Sequence, residues 1–335
     1  MDLIQGELMG WKGTMRSIAA AARAAEREAQ RRHKQVQKAQ MIADSTSAVE
    51  EWENYVENLV SIHTDMVDMI DWHKIASQPG PREPHQASHH RDRAEMASAK
   101  FKPSIFHVFS GGSTKLRMQL EAKIDEAAVL DQKQYQDALA AHMKAVAEWE
   151  NETKFAKRLL RGEAAAIRQV IEEMQSLSET ALVGTAIEFS FGENFIHAKI
   201  RIHGDDIVPS MRLKQLASGR LSETRMPVGQ FNELYQDYVA SVALKTAGDL
   251  FHILPLDEVY VTCMANMLNL QIGHQQWIPI LSVQFVRDGF MRLNLSGIDP
   301  SDAMRNFRHT MKFSKTKGFS AVEPLDSIND GTADI

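Results

Sequence analysis

Residues 185–202 read TAIEFSFGENFIHAKIRI. Ile187, Phe189 and Phe191 alternate with polar residues, and so do Ile196, Ala198, Ile200 and Ile202. A period of two in two short runs, joined through Gly192 to Asn194, predicts a β-hairpin with one buried face. The same stretch marks a change of alphabet. Upstream of about residue 182 the chain is dominated by Ala, Glu, Gln, Lys, Arg and Met; downstream, Val, Ile, Phe, Gly and Pro rise. The expected fold class is therefore α+β: a long N-terminal antiparallel helical hairpin or coiled coil over 1–180, a small mixed α+β domain over 181–320, and an acidic tail over 321–335.

The helical half divides in two. Residues 13–76 hold no Pro and no Gly after Gly13, and Trp52, Tyr55, Leu59, Ile62, Met66 and Met69 recur at steps of three and four. That spacing predicts an apolar seam on a long helix, about 13–76, and makes those six residues the candidate partner-binding surface. Three prolines and a glycine within 79–84 end it, and residues 77–103 read as a Pro- and His-rich connection. A second helical stretch, about 114–177, carries Ile124, Ala127, His142, Ala145 and Trp149 at similar spacing, with Gly162 inside it. Two helical stretches of similar length around one broken connection predict a hairpin, closed within one chain or between chains.

Beyond the β-hairpin, residues 228–253 predict an amphipathic helix stopped by Pro255. DEVYVTC and WIPILSVQFVR read as strands, the second apolar enough for a central position. A last amphipathic helix is expected from Asp299-Pro300, with Met304, Phe307 and Met311 on one side and Arg305, Arg308, Lys312 and Lys315 on another.

Composition excludes several classes. A formal net charge of −6 argues against a protein basic throughout, and a single cysteine rules out an internal disulfide framework and a cysteine-based zinc site. Cys263, inside VYVTCM, reads as a small buried hydrophobe. No apolar run is long enough for a transmembrane segment, and the acid-containing N-terminus is not a signal sequence, so a cytoplasmic protein is expected.

Enzyme motifs are incomplete. SGGSTK at 110–115 lacks the spacing of a phosphate loop, and its Lys follows the hydroxyls. His85, His89 and His90 sit in the Pro-flanked connection without a cysteine nearby, and the adjacent Asp205 and Asp206 read as a solvated turn. The order helix 228–253, strand, strand resembles a restriction-endonuclease-like core. That resemblance implies a carboxylate and an acid-x-Lys pair around Mg²⁺; here Gln284 and Val286 stand at those places. No catalytic residue, metal ligand or cofactor is assigned.

Charge patterning remains. Arg16, Arg23, Arg27, Arg31, Lys34 and Lys38 keep one face of a helix, and residues 41–80 carry eight acids against Lys74. With Arg305, Arg308, Lys312 and Lys315, the N-terminal stripe is a candidate phosphate-binding surface. The other reading pairs it with Glu152, Glu163, Glu172 and Glu173, or leaves it solvated. The leading expectation is a non-enzymatic assembly or adaptor protein, forming a homo-oligomer or docking a protein partner. Nucleic-acid binding is the alternative, and a degenerate metal-dependent nuclease the third reading.

Overall fold

A computed structural model describes residues 26, 31, 45–100, 112–177, 184, 186–192, 195–217, 220–269 and 273–325. The fold is α+β. It forms two compact units, one drawn from Met1–Trp72 with Lys157–Ile335 and the other His73–Ala156.

The N-terminal helix is shorter than its sequence pattern predicts. Helix α1 spans Ser45–Val60, a 3₁₀ turn spans Ile62–Thr64, and residues 65–71 are irregular before the short α2, Trp72–Ser77. The helix stops because the chain beyond it finds other partners. The His63 amide donates to Ser241 Oγ (3.0 Å), the Val67 amide to Asp249 Oδ1 (3.0 Å), and the Ile70 amide to the His252 carbonyl (2.8 Å). The Trp72 indole donates to the Ile253 carbonyl at 2.8 Å. A segment whose amides are satisfied by another element has no need of its own helix.

In the His73–Ala156 unit, the connection holds a further helix, α3 (His89–Ala99). Asp131, buried on α4 (Gly112–Leu160), accepts the amides of His90 (3.0 Å) and Arg91 (2.8 Å) and so caps α3. Burial alone raises the Asp131 carboxyl, but these donors and the nearby histidines hold it below the ordinary range. The Trp149 indole donates to the Gln78 carbonyl at 2.9 Å, and Gly80 lies against the same ring. Thus an extended strand and α3, rather than a second long helix, line α4 within this unit. After α4 the chain turns at Gly162, whose φ of 72° is easy only for glycine, and α5 follows at Ala164–Leu177.

The other unit carries a six-stranded sheet in the order β1-β2-β5-β6-β7-β8. Strands β1 (Ala186–Phe191) and β2 (Phe195–Arg201) form the expected hairpin. A separate hairpin, β3 (Met211–Gln215) with β4 (Leu221–Arg225), precedes helix α6, Val228–Ile253. The helix is the crossover that sets β2 parallel to β5, Glu258–Asn269. β6 (His274–Val286), β7 (Arg308–Ser314) and β8 (Gly318–Ser320) add antiparallel. Between β6 and β7 lie α7 (Arg287–Phe290) and α8 (Pro300–Ala303).

The amphipathic helix expected from Pro300 is four residues long, followed by a 3₁₀ turn and then β7. Its start is as the sequence reads, since Asp299 accepts the Asp302 amide at 2.9 Å. Its continuation fails because Met304 and Phe307 enter the core while HTMKF pairs with β6. Residues three or four apart on a helix thus become residues on alternate sides of a strand.

Helix α6 is apolar on all sides: Tyr238, Val239, Val242, Leu244, Leu250 and Phe251 are each at most 1% exposed. Its partners are the sheet on one side and residues 45–72 on the other. Trp52, Tyr55, Leu59 and Ile62 are buried in this unit; the Trp52 indole donates to the Met211 carbonyl (3.0 Å) and the Tyr55 hydroxyl to that of Ile207 (2.6 Å). The carboxyl end of α6 is capped by Arg287. Its guanidinium donates to the carbonyls of Leu256 (2.6 Å), Phe251 (2.9 Å) and Leu254, and lies 5.0 Å from the Phe251 ring centroid.

Replacing Arg287 by Gln removes the charge at the negative helix end and leaves carbonyls without donors. Urea unfolding is expected to show a loss of about 3 kcal/mol. A loss within error of zero would show that water caps the helix equally well.

Candidate functional site

The two faces of the sheet differ in chemistry, and the register fixes which residue lies on which. Cys263 Sγ lies 3.8 Å from the Val239 carbonyl of α6, so Val259, Val261 and Cys263 face the helix. Their partners Ile196, Ala198 and Ile200 on β2, and Phe285, Val283 and Leu281 on β6, face it too. The alternate residues form the other face: His197, Lys199 and Arg201 on β2, Tyr260 and Thr262 on β5, Ser282 and Gln284 on β6, and Arg308, Thr310 and Lys312 on β7.

A chain of buried side chains crosses the middle of this face. His197 Nε2 lies 2.8 Å from Thr262 Oγ1, which lies 2.8 Å from Ser282 Oγ. Ser282 Oγ in turn accepts the Leu325 amide at 3.1 Å. All three side chains are at most 4% exposed. Burial, with Lys199 as a second cause, lowers His197 to about 4, so the imidazole is neutral near pH 7. Around the chain, the Gln284 amide donates to Glu258 (2.8 Å), and Arg201 pairs with Glu188 (2.6 Å) and sits over Trp277.

Other groups that sequence motifs single out are closed by their own partners. His63 takes Ser241 Oγ at Nδ1 (2.8 Å) and the Leu295 carbonyl at Nε2 (2.9 Å). Ser241 is fully buried, so this Ser–His contact ties residues 61–64 to α6. Cys263 is fully buried and its thiol is pushed up to about 12. Asp205 and Asp206 are exposed in a 3₁₀ turn. Among the described residues, no three His, Cys, Asp or Glu side chains converge as a metal site would require, and no helix is long and apolar enough to cross a membrane.

The candidate phosphate-binding residues do not share a face. Arg305 pairs with Asp302 (3.2 Å) and Lys315 with Glu233, whereas Arg308 and Lys312 lie on β7. Arg31 is helical and exposed; Arg16, Arg23, Arg27, Lys34 and Lys38 lie outside the described residues. Of the candidate partner-binding residues, Trp52, Tyr55, Leu59 and Ile62 are occupied by the chain's own core, Met66 is half-buried beside Gly248, and Met69 is exposed. Their three–four spacing marks a packing face of the α+β unit. The His197–Thr262–Ser282 chain was absent from the sequence reading, because three residues on three strands carry no common spacing. No family model, curated protein or solved structure matches the chain.

His197 sets a pH dependence. Its folded value lies below the unfolded one, so its stability contribution is present above about pH 6.5 and lost as pH falls toward 4. The loss attributable to this group is about 3 kcal/mol. Urea midpoints of wild type and His197→Gln between pH 7 and 4 check it: the variant is expected to decline less steeply. Parallel declines would contradict a buried neutral imidazole.

Proposed function

We propose that this chain is a non-enzymatic assembly protein that pairs with a second copy of itself along α4. The observation that carries the reading is the outward side of that helix. Met118, Val129 and Met143 are 66%, 68% and 67% exposed. They lie 11 and 14 residues apart, about three and four helical turns, so they stand in one line. Ala122, Ala140 and Ala147, all exposed, fall along the same line. Isolated apolar residues on a surface need no explanation, but a line of them with small residues between is a seam.

The charges beside the line support self-pairing. Lys115, Lys133 and Lys144 flank one side, interrupted by Glu126, and Glu121, Asp125 and Glu150 flank the other. Two copies laid parallel bring the basic flank of each against the acidic flank of the other. The closed state of His63, Ser241 and Cys263 also favours a non-enzymatic role, because a nucleophile or base has to reach a substrate. Nucleic-acid binding has weaker support, since the basic residues at 305–315 are divided between ion pairs and a strand.

Sedimentation velocity across a dilution series tests the reading. Wild type is expected to approach the mass of two chains by about 100 µM, and Met118→Glu/Val129→Glu/Met143→Glu to stay at one chain with an unchanged melting temperature. A wild type that remains one chain over that range would refute it.

A further inference from the structure

The path of the chain after β8 is specific. The Val322 amide donates to the Pro279 carbonyl of β6 (2.9 Å), the Thr310 hydroxyl to the Glu323 carbonyl (2.9 Å), and the Leu325 amide to Ser282 Oγ (3.1 Å). Thr310 and Ser282 are partners on the face turned away from α6. These bonds therefore carry residues 321–325 from the sheet edge over β7 and onto β6, with Val322 and Leu325 buried. The next strands in that direction are β5, with Thr262, and β2, with His197 and Lys199.

We propose that the open face of the sheet is an anion-binding surface whose occupant is the chain's own segment 326–335. That segment holds Asp326, Asp330 and Asp334 and no Lys or Arg. The face it would enter holds Lys199 and Arg201 on one side of the buried His197–Thr262–Ser282 chain, and Arg308 and Lys312 on the other. From β6 to β2 is two strand spacings, about 10 Å. Five extended residues span about 17 Å, so Asp330 reaches the Lys199 side from the fixed position of Leu325. The neutral polar middle suits an extended segment, whose own amides need partners, and the cations at the sides select its charge. The proposal does not depend on pairing through α4, which concerns the other unit. It gives Arg308 and Lys312 a partner within the chain, and an external anion reaches the face only by displacing the segment.

Carbodiimide coupling of the full-length chain tests this, because it joins a carboxylate only to an amine already in contact. In a mixture of ¹⁵N-labelled and unlabelled chains, mass spectrometry is expected to find Asp326, Asp330 or Asp334 joined to Lys199 or Lys312 within one label. The Lys199 links are expected to disappear in Lys199→Gln, and all of these links to weaken several-fold at about 0.5 M salt. In parallel, Asp326→Asn/Asp330→Asn/Asp334→Asn is expected to speed hydrogen exchange at the Leu325 amide several-fold and leave α6 amides unchanged. Links from these aspartates only to lysines off this face, or only between labels, overturn the proposal. So does an unaltered Leu325 exchange rate.

Discussion

A helix that is apolar on every side exists only with neighbours on every side, and α6 is such a helix. The sheet closes one side of it. The other is closed by residues 45–72, which come from more than 150 positions earlier in the chain. Those residues are held by specific bonds: Ser241 takes His63, Asp249 takes the Val67 amide, and the last carbonyls of α6 take Ile70 and Trp72. Asp249 is itself buried beside Lys245 (3.0 Å), and burial raises its carboxyl despite that partner. Arg287 then caps the helix end from the far side of β6. The α+β unit is thus one cooperative object, with its N-terminal part as necessary as its sheet.

That arrangement bears on function. Nearly every side chain that would suggest chemistry is consumed in holding α6 and its covers together. What is left for a partner lies at two places of different character. The exposed line on α4 is apolar with charged flanks, suited to another helix. The open face of the sheet is polar at its centre and basic at its sides, suited to an extended acidic segment.

Much of the fold was legible in the sequence where a local rule and the tertiary environment agree. Ile196, Ala198 and Ile200 alternate because one face of β2 meets α6, and the hairpin is read correctly from that alone. Trp52, Tyr55, Leu59 and Ile62 were rightly seen as one apolar line, but spacing does not say what buries it, and the line packs on α6 and β3 rather than on a second long helix. Met304, Phe307 and Met311 misled for a related reason. Steps of three and four also arise when a 3₁₀ turn feeds a strand, and only pairing with β6 distinguishes the two. Helix α3 was missed because its cap, Asp131, lies about 40 residues away. The open face was illegible throughout, since register between strands created it.

Amide hydrogen exchange at His63, Val67 and Ile70 tests most directly the claim that residues 45–72 complete the core. None of the three lies in an α-helix or a strand, so any strong protection comes from the bonds to α6. The account predicts that they exchange with the same opening free energy as α6 itself, and that Ser241→Ala lowers protection of all of them together. Exchange near the rate of an unstructured chain, with α6 still protected, would contradict it.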